Sequence, residues 1–201
     1  MRNKPKILLF DVDGVLAIGE HWGKHLERDY GITKAMTQEF FTNKFGACII
    51  GKADLKEELT PYIQQWGWRG TVDDLIAYWF RAEHNINEPL LAYIQTLRGQ
   101  GTACYVATMQ EQYRTAYILQ EMGFEKLFDG IFSSAFIGYK KTQPEFYAHI
   151  LKKLDVTHAQ EVLFWDDSPA NVATARNVGL QAEVYSDFAD FTEKMRLYSD
   201  K

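Results

Sequence analysis

Cysteine is scarce in this chain: Cys48 and Cys104 are the only two in 201 residues. Two thiols cannot build the disulfide framework of a small secreted domain, and both are expected as reduced, buried side chains. Long apolar runs are missing too. Nothing approaches the roughly 20 consecutive apolar residues that a bilayer-spanning helix requires. The first ten residues offer only Ile7–Phe10 before Asp11 interrupts, which is short for the core of a signal peptide, so the expected location is cytoplasmic. A basic excess is also absent. With 22 Lys+Arg against 27 Asp+Glu the net charge is −5, so the composition gives no electrostatic footing for a nucleic-acid partner. Internal repeats and low-complexity tracts are not seen. What remains is an ordinary globular composition, 46% hydrophobic and 24% charged, which excludes a disordered chain.

Five short apolar runs read as strands: Lys6–Phe10, Ala103–Ala107, Gly130–Ser133, Val162–Trp165 and Ala182–Tyr185. Helical patterns fall between and after them at Pro89–Arg98, Glu111–Met122, Pro144–Leu154, Pro169–Val178 and Phe188–Tyr198. Pro89 and Pro169 suit first turns, and Gly99, Gly123 and Gly179 suit C-terminal caps. Such alternation predicts an α/β fold, a Rossmann-like, doubly wound, five-stranded parallel sheet covered on both faces.

The first crossover is far too long. A βαβ connection needs about a dozen residues, yet some ninety separate the first two strands. Pro89–Arg98 suffices for the crossover, so residues 17–88 are surplus and read as an inserted all-helical cap, with helices at His21–Tyr30, Lys34–Lys44, Ala53–Trp66 and Thr71–His84. The catalytic core is then 1–16 with 89–201. Trp22, Trp66, Trp68 and Trp79 all lie in the insertion and give it a core of its own. Leaving the sheet at the carboxyl end of a strand, it would cover the edge where ligands bind in open α/β folds.

Four signals stand at strand ends. They are Asp11-Val12-Asp13-Gly14-Val15, Thr108 closing Tyr105–Thr108, the pair Lys140-Lys141, and the run Val162–Asn171 with Asp166-Asp167 at its centre. In a parallel sheet these groups share one edge. Several carboxylates in one cleft repel each other, and oxygen-only ligands without His or Cys favour Mg2+ over zinc. Such a cation beside a lysine and a hydroxyl suits a phosphate dianion, which a carboxylate can attack to give an acyl phosphate.

These motifs, with Gly138 ahead of the lysine pair, resemble in order and spacing the haloacid dehalogenase-like superfamily, in the subgroup with a helical cap after the first strand. The resemblance implies that Asp11 is the nucleophile and a Mg2+ ligand. It implies that Asp13 is the general acid and then the base, with its backbone carbonyl on the metal. Thr108 would bind phosphoryl oxygens and Lys141 would neutralise charge; Asp167 would ligate the metal directly and Asp166 directly or through water. Lys141 is preferred to Lys140, which reads as a solvated neighbour, because the helix containing Tyr147 then aligns. Family members that cleave carbon–halogen bonds lack a carboxylate at position 13, whereas an alkoxide leaving group needs the proton Asp13 can supply.

The expected activity is that of a phosphatase, with sugar phosphates and similar small phosphorylated metabolites as the substrate class implied by the resemblance. A phosphomutase on the same scaffold and a receiver-like phospho-acceptor module are the alternatives. Met109 stands where the family often has Asn, and the third motif lacks the usual Lys-Pro, since Thr142 follows Lys141. Met109 and Lys52 are carried as substrate-contact candidates, Lys52 against the simpler reading of a solvated lysine at a helix start. Neither part of the chain is basic: residues 17–88 hold 8 Lys+Arg and 11 Asp+Glu, the rest 14 and 16. The expected partners are a small phosphorylated metabolite, no nucleic acid and no membrane, in a monomer or homodimer. Three decoys have structural readings. Thr71 with Asp74 looks like a helix-capping arrangement, His21/His25 lacks the glutamate of a zinc-protease motif, and the tryptophans with Tyr62 read as cap core.

Overall fold

The computed structural model describes residues 4–198. Within them the elements run β1 (Ile7–Phe10), α1 (Trp22–Tyr30), α2 (Lys34–Asn43), α3 (Phe45–Ile49), α4 (Leu55–Ile63), α5 (Val72–Ala82), α6 (Glu88–Gly99), β2 (Ala103–Thr108) and α7 (Gln112–Gln120). They continue with α8 (Phe124–Leu127), β3 (Ile131–Ser133), α9 (Ser134–Ile137), α10 (Pro144–Lys153), β4 (Val162–Asp166), α11 (Pro169–Asn177), β5 (Gln181–Val184) and α12 (Phe188–Arg196). The five strands form one parallel sheet in the order β3-β2-β1-β4-β5.

The strand sequences explain the layering. Successive side chains point to opposite faces, so Leu8 and Phe10 of β1, Val106 of β2 and Trp165 of β4 pack with α6, α7 and α12. Leu9, Ala107 and Phe164 pack on the other side with α10 and α11. Both faces are covered, which is why these strands read as nearly continuous apolar runs. Strand order reverses at β1, with β2 on one side and β4 on the other. That places the switch point, and the crevice it opens, at the carboxyl end of β1.

Between β1 and α6 lie five helices, α1 to α5, packed around their own cluster of Trp22, Leu26, Phe40, Leu59, Trp66, Leu75 and Trp79. Trp22 and Trp79 stack with ring centroids 4.6 Å apart. The outgoing and returning chains run side by side: Ile18 N–H donates to Asn85 O (2.8 Å) and Asn87 N–H to Leu16 O (2.9 Å). The buried Asn87 side chain adds a bond to Val15 O. The helices are also tied to the rest of the chain, since Asp54 accepts from Tyr113 and Gln112 (2.6 and 2.7 Å) and Ser134 Oγ donates to Ile49 O (2.7 Å).

Several local expectations are met. Pro89 and Pro169 occupy first turns, Thr71 and Asp74 form a reciprocal capping box, and both cysteines are buried and unpaired. Others shift. β5 begins and ends one residue earlier than expected, leaving Tyr185 outside the strand, where its hydroxyl accepts from Asn87. Gly99 lies within α6, and Gly101 takes the left-handed conformation beyond it (φ 90°). Helices α3, α8 and α9 were not anticipated, because four or five residues are too few to display a 3.6-residue period.

Glu111 caps α7, accepting from the backbone N–H groups of Tyr113 and Arg114. It is almost fully buried, and burial pushes its carboxyl from 4.5 up to about 7, partly offset by those N–H groups. The folded chain therefore holds this proton more tightly than the unfolded chain does. The resulting stability is complete below about pH 4.5 and lost as pH rises through about 7. Glu111→Gln is expected to remove that slope: in thermal melts its advantage over the parent should grow from pH 5 to pH 8, reaching on the order of 2 kcal/mol, a few degrees in Tm.

Candidate active site

Register brings the catalytic motifs together. Phe10 pairs with Val106 on one side and with Trp165 on the other, so Asp11 and Asp166 are the next residues on adjacent strands. The Asp11 N–H donates to Trp165 O (2.9 Å). Thr108 ends β2 on the same edge. Oxygens of Asp11, Asp166 and Asp167 lie within 4.8 Å of one another. Gly14, at φ 79°, makes room for this: a Cβ there would stand 2.7 Å from Cγ of Asp167.

Lys141 sits between two of these carboxylates, 2.6 Å from Asp11 Oδ1 and 2.7 Å from Asp166 Oδ2, with its side chain 2% exposed. Burial disfavours its ammonium, but the two aspartates prevail and raise its pKa. Burial, reinforced by Asp166 and Asp13 and opposed by Lys141, pushes Asp11 up to about 7. Asp167 is raised as well, by burial and then by Asp166. Asp166 is the fixed member. It accepts from Lys141, from the Ser168 backbone N–H (2.8 Å) and from Asn171 Nδ2 (3.0 and 3.2 Å). Ser168 thus serves with its backbone N–H and makes no side-chain cap on α11.

The three carboxylates outnumber their single buried cation. Their donor set is all oxygen, and the cost of burying Asp11, increased by the neighbouring Asp166, shows in its raised pKa. Such a set fits a hard divalent cation. A second feature points to an anion beside it: the Thr108 hydroxyl is buried and has no hydrogen-bond partner among the described residues. A buried hydroxyl without a partner costs free energy, so its retention suits a ligand oxygen. Thr108→Val keeps the shape and removes this group. It is expected to leave stability unchanged or raised, while lowering kcat/KM for phosphate release about 10- to 100-fold, read by thermal melting and steady-state kinetics on the same sample.

Asp13 is exposed and its side chain lies apart from the carboxylate trio. Its Oδ2 accepts from Gln110 Nε2 at 2.6 Å. It lines a cleft of about 590 Å3 together with Gly14, Met109, Gln110, Lys140 and Asp167 below and residues of the helical insertion above. Met109 is therefore part of the cleft lining. Lys52 is exposed and is not part of its lining, a correction to its placing as a substrate contact: the turn it follows packs Gly51 against the Ala135 carbonyl instead. Lys140, read as a solvated neighbour, is half-buried in the cleft wall. Trp79 serves both as core and as cleft lining.

Asn171 closes the fourth motif of the sequence, which assigned it no role; it lies five residues beyond Asp166 in the first turn of α11, which returns its amide to the strand end. Two residues escaped the sequence reading of the site. Gln110 reaches Asp13 from the loop after β2, and Glu83 reaches the cleft from the end of α5. Neither carries a pattern that marks it.

Comparison with known proteins agrees with this geometry. The haloacid dehalogenase-like hydrolase family matches residues 5–179. Sesquiterpene phosphatase astK of Aspergillus oryzae is 42% identical over 92 residues, covering 45% of this chain and 46% of that protein. Drimenol cyclase drtB of Aspergillus calidoustus is 36% identical over 59 residues, covering 29% and 11%. This chain thus matches less than half the length of either. Among solved structures, a haloacid dehalogenase family enzyme of Bacteroides thetaiotaomicron, in a magnesium complex, superimposes with a TM-score of 0.80 at 19% identity, over 96% of this chain and 100% of the other. Among the described residues no helix is long and apolar enough to cross a membrane.

Proposed function

The chain belongs to the haloacid dehalogenase-like hydrolases, and from that premise we propose that it hydrolyses a small phosphomonoester, with Mg2+, through an aspartyl phosphate on Asp11. The observation that carries the reading is the convergence of Asp11, Asp166 and Asp167 on one point, with Lys141 between two of them. The phosphatase named in Aspergillus oryzae supports the reaction class. Residues 17–88 serve in this reading as a lid that shuts water out during transfer.

Asp11, Asp166 and Asp167, with the Asp13 carbonyl, would hold the Mg2+. When bound, the ion supplies positive charge that lets a carboxylate and a phosphate dianion approach. The remaining work falls to side chains. Asp11 attacks phosphorus through a carboxylate oxygen, forming the acyl phosphate as the phosphorus–oxygen bond to the leaving alcohol breaks. Asp13, at the open cleft and oriented by Gln110, gives its proton to that alcohol oxygen. It then takes a proton from water, whose oxygen bonds to phosphorus as the acyl phosphate breaks and Asp11 is released. Thr108 donates to a phosphoryl oxygen, and Lys141 offsets the charge gathered on Asp11 and the phosphate. Gln110 and Asn171 hold Asp13 and Asp166 and act as positioning residues.

The test is release of inorganic phosphate from an aryl phosphate. Mg2+ is expected to be required, with chelation lowering the rate about a hundredfold or more and added Mg2+ restoring it. Hydrolysis at full rate after chelation would overturn the metal assignment. Phosphate that reappears on a second alcohol, never free in solution, would identify a mutase.

A further inference from the structure

The proposed reaction leaves open which alcohol departs, and the cleft wall that faces the catalytic edge bears on it. From the insertion that wall receives Ile18, Phe41, Phe45, Ile49 and Trp79. It receives no lysine or arginine from residues 17–88. Apart from Asp13 and Asp167, which the proposed reaction uses, the lining holds Glu20 and Glu83 against Lys140 alone, so it offers a second carboxylate or phosphate on the leaving group no positive excess.

Several polar groups of the wall are already engaged. Glu83 accepts from the Trp22 backbone N–H (3.1 Å) through one oxygen and from Trp79 Nε1 (2.9 Å) through the other. His21 Nδ1 accepts from Gly23 N–H (3.1 Å), Glu20 pairs with Lys24 (3.3 Å), and Gln110 donates to Asp13. A polyol entering here would lose hydration with few free partners to replace it, which is costly. A hydrocarbon would gain from the same transfer. There is also room for length. A second cavity of about 780 Å3, beside α1 and α2, shares His21 and Phe41 with the cleft; Trp22, Leu26 and Ile32 line it together with polar side chains that include Lys24, Glu27 and Lys34.

We infer that the substrate is the monophosphate of an uncharged hydrocarbon alcohol, its apolar body seated against Ile18, Phe41, Phe45, Ile49 and Trp79 and its phosphate at Asp11. This inference rests on the phosphatase reading and replaces the sugar-phosphate expectation drawn from the family resemblance.

The experiment uses the Mg2+-loaded full chain and a graded set of n-alkyl monophosphates, ethyl to decyl, beside glycerol phosphate and glucose 6-phosphate. The expected result is a kcat/KM that rises up to about fourfold per methylene buried, chiefly through KM, so that octyl phosphate exceeds ethyl phosphate by about a hundredfold and both polyol phosphates fall below it. Ile18→Asn alters a side chain that is 42% exposed and spares the fold; it and Phe45→Asn are each expected to cut the octyl-to-ethyl ratio about tenfold. A ratio is unaffected by the fraction of protein that folds. Calorimetric binding of octyl- and ethylphosphonate to the same loaded protein reads the wall without turnover, with tighter binding expected for the longer chain.

A flat chain-length series, or preference for the polyol phosphates while an aryl phosphate is still hydrolysed, overturns the inference and leaves the phosphatase reading standing. If no ester is hydrolysed but phosphonate affinity still climbs with chain length, the reverse holds: the apolar wall is real and the reaction assignment falls. Equal affinity for the two phosphonates overturns the inference in either case.

Discussion

Asp11→Asn is expected to lower kcat for phosphate release by about 10,000-fold or more while the protein stays folded. The estimate follows from what nucleophile removal costs in enzymes that pass through a covalent intermediate. Asparagine matches the shape, and its amide oxygen can still accept from Lys141, so the site should keep its geometry. What it lacks is a carboxylate able to bond phosphorus. The change also removes a negative charge from a site where burial, reinforced by Asp166 and Asp13 and opposed by Lys141, already pushes Asp11 up to about 7. In the absence of metal the variant should therefore melt at or above the parent temperature. Loss of activity together with retained or raised stability is the signature of a chemical role, and steady-state kinetics with thermal melting on one preparation would read both. Activity within tenfold of the parent would remove Asp11 from the mechanism.

Lys141→Met should damage both properties. Its ammonium lies 2.6 Å from Asp11 and 2.7 Å from Asp166 in a site sealed from solvent. Removing one partner of such a cluster leaves uncompensated buried charge and typically costs about 3–5 kcal/mol. Phosphate release is expected to fall about a thousandfold or more, because charge between the nucleophile and the phosphate is no longer offset. Chemical denaturation measures the first effect. Added Mg2+ gives a further reading: by binding the folded carboxylates and not the unfolded chain it should recover part of the lost stability. A variant as stable as the parent without metal would show that Asp11 and Asp166 do not need the lysine.

Much of this arrangement can be read from the residues alone, and the reason is topological. A parallel sheet puts every strand's carboxyl end on one edge, so Asp11, Thr108 and Asp166 meet once their strands are recognised. The strands themselves are conspicuous because burial on both faces makes them continuous apolar runs, as in Ile7–Phe10 and Val162–Trp165. The surplus length before Ala103 exposes the helical insertion in the same way, through a constraint on connection length.

What could not be read depends on contacts that no local pattern encodes. Gln110 is an ordinary loop residue until β2 and the turn after β1 are placed side by side. Helix α3 has five residues and includes Gly46, so it shows no periodicity, yet it brings Phe45 and Ile49 to the cleft. Aromatic residues of the insertion raise a related difficulty. Trp79 packs in the core of the helices and also faces the cleft, and hydrophobicity has the same appearance in sequence for both duties. Lys52 is the opposite case: its charge suggested reach toward an anion and its helix-start position a solvated side chain, and it stands exposed beside a turn whose Gly51 packs against the Ala135 carbonyl.

The covalent step can be observed directly. The Mg2+-loaded protein, mixed with an aryl phosphate and quenched in acid during turnover, should yield one phosphorylated peptide, the one bearing Asp11, with a label that forms and decays no more slowly than phosphate appears. Steady phosphate release with no label, or with the label on any other residue, would contradict attack by Asp11.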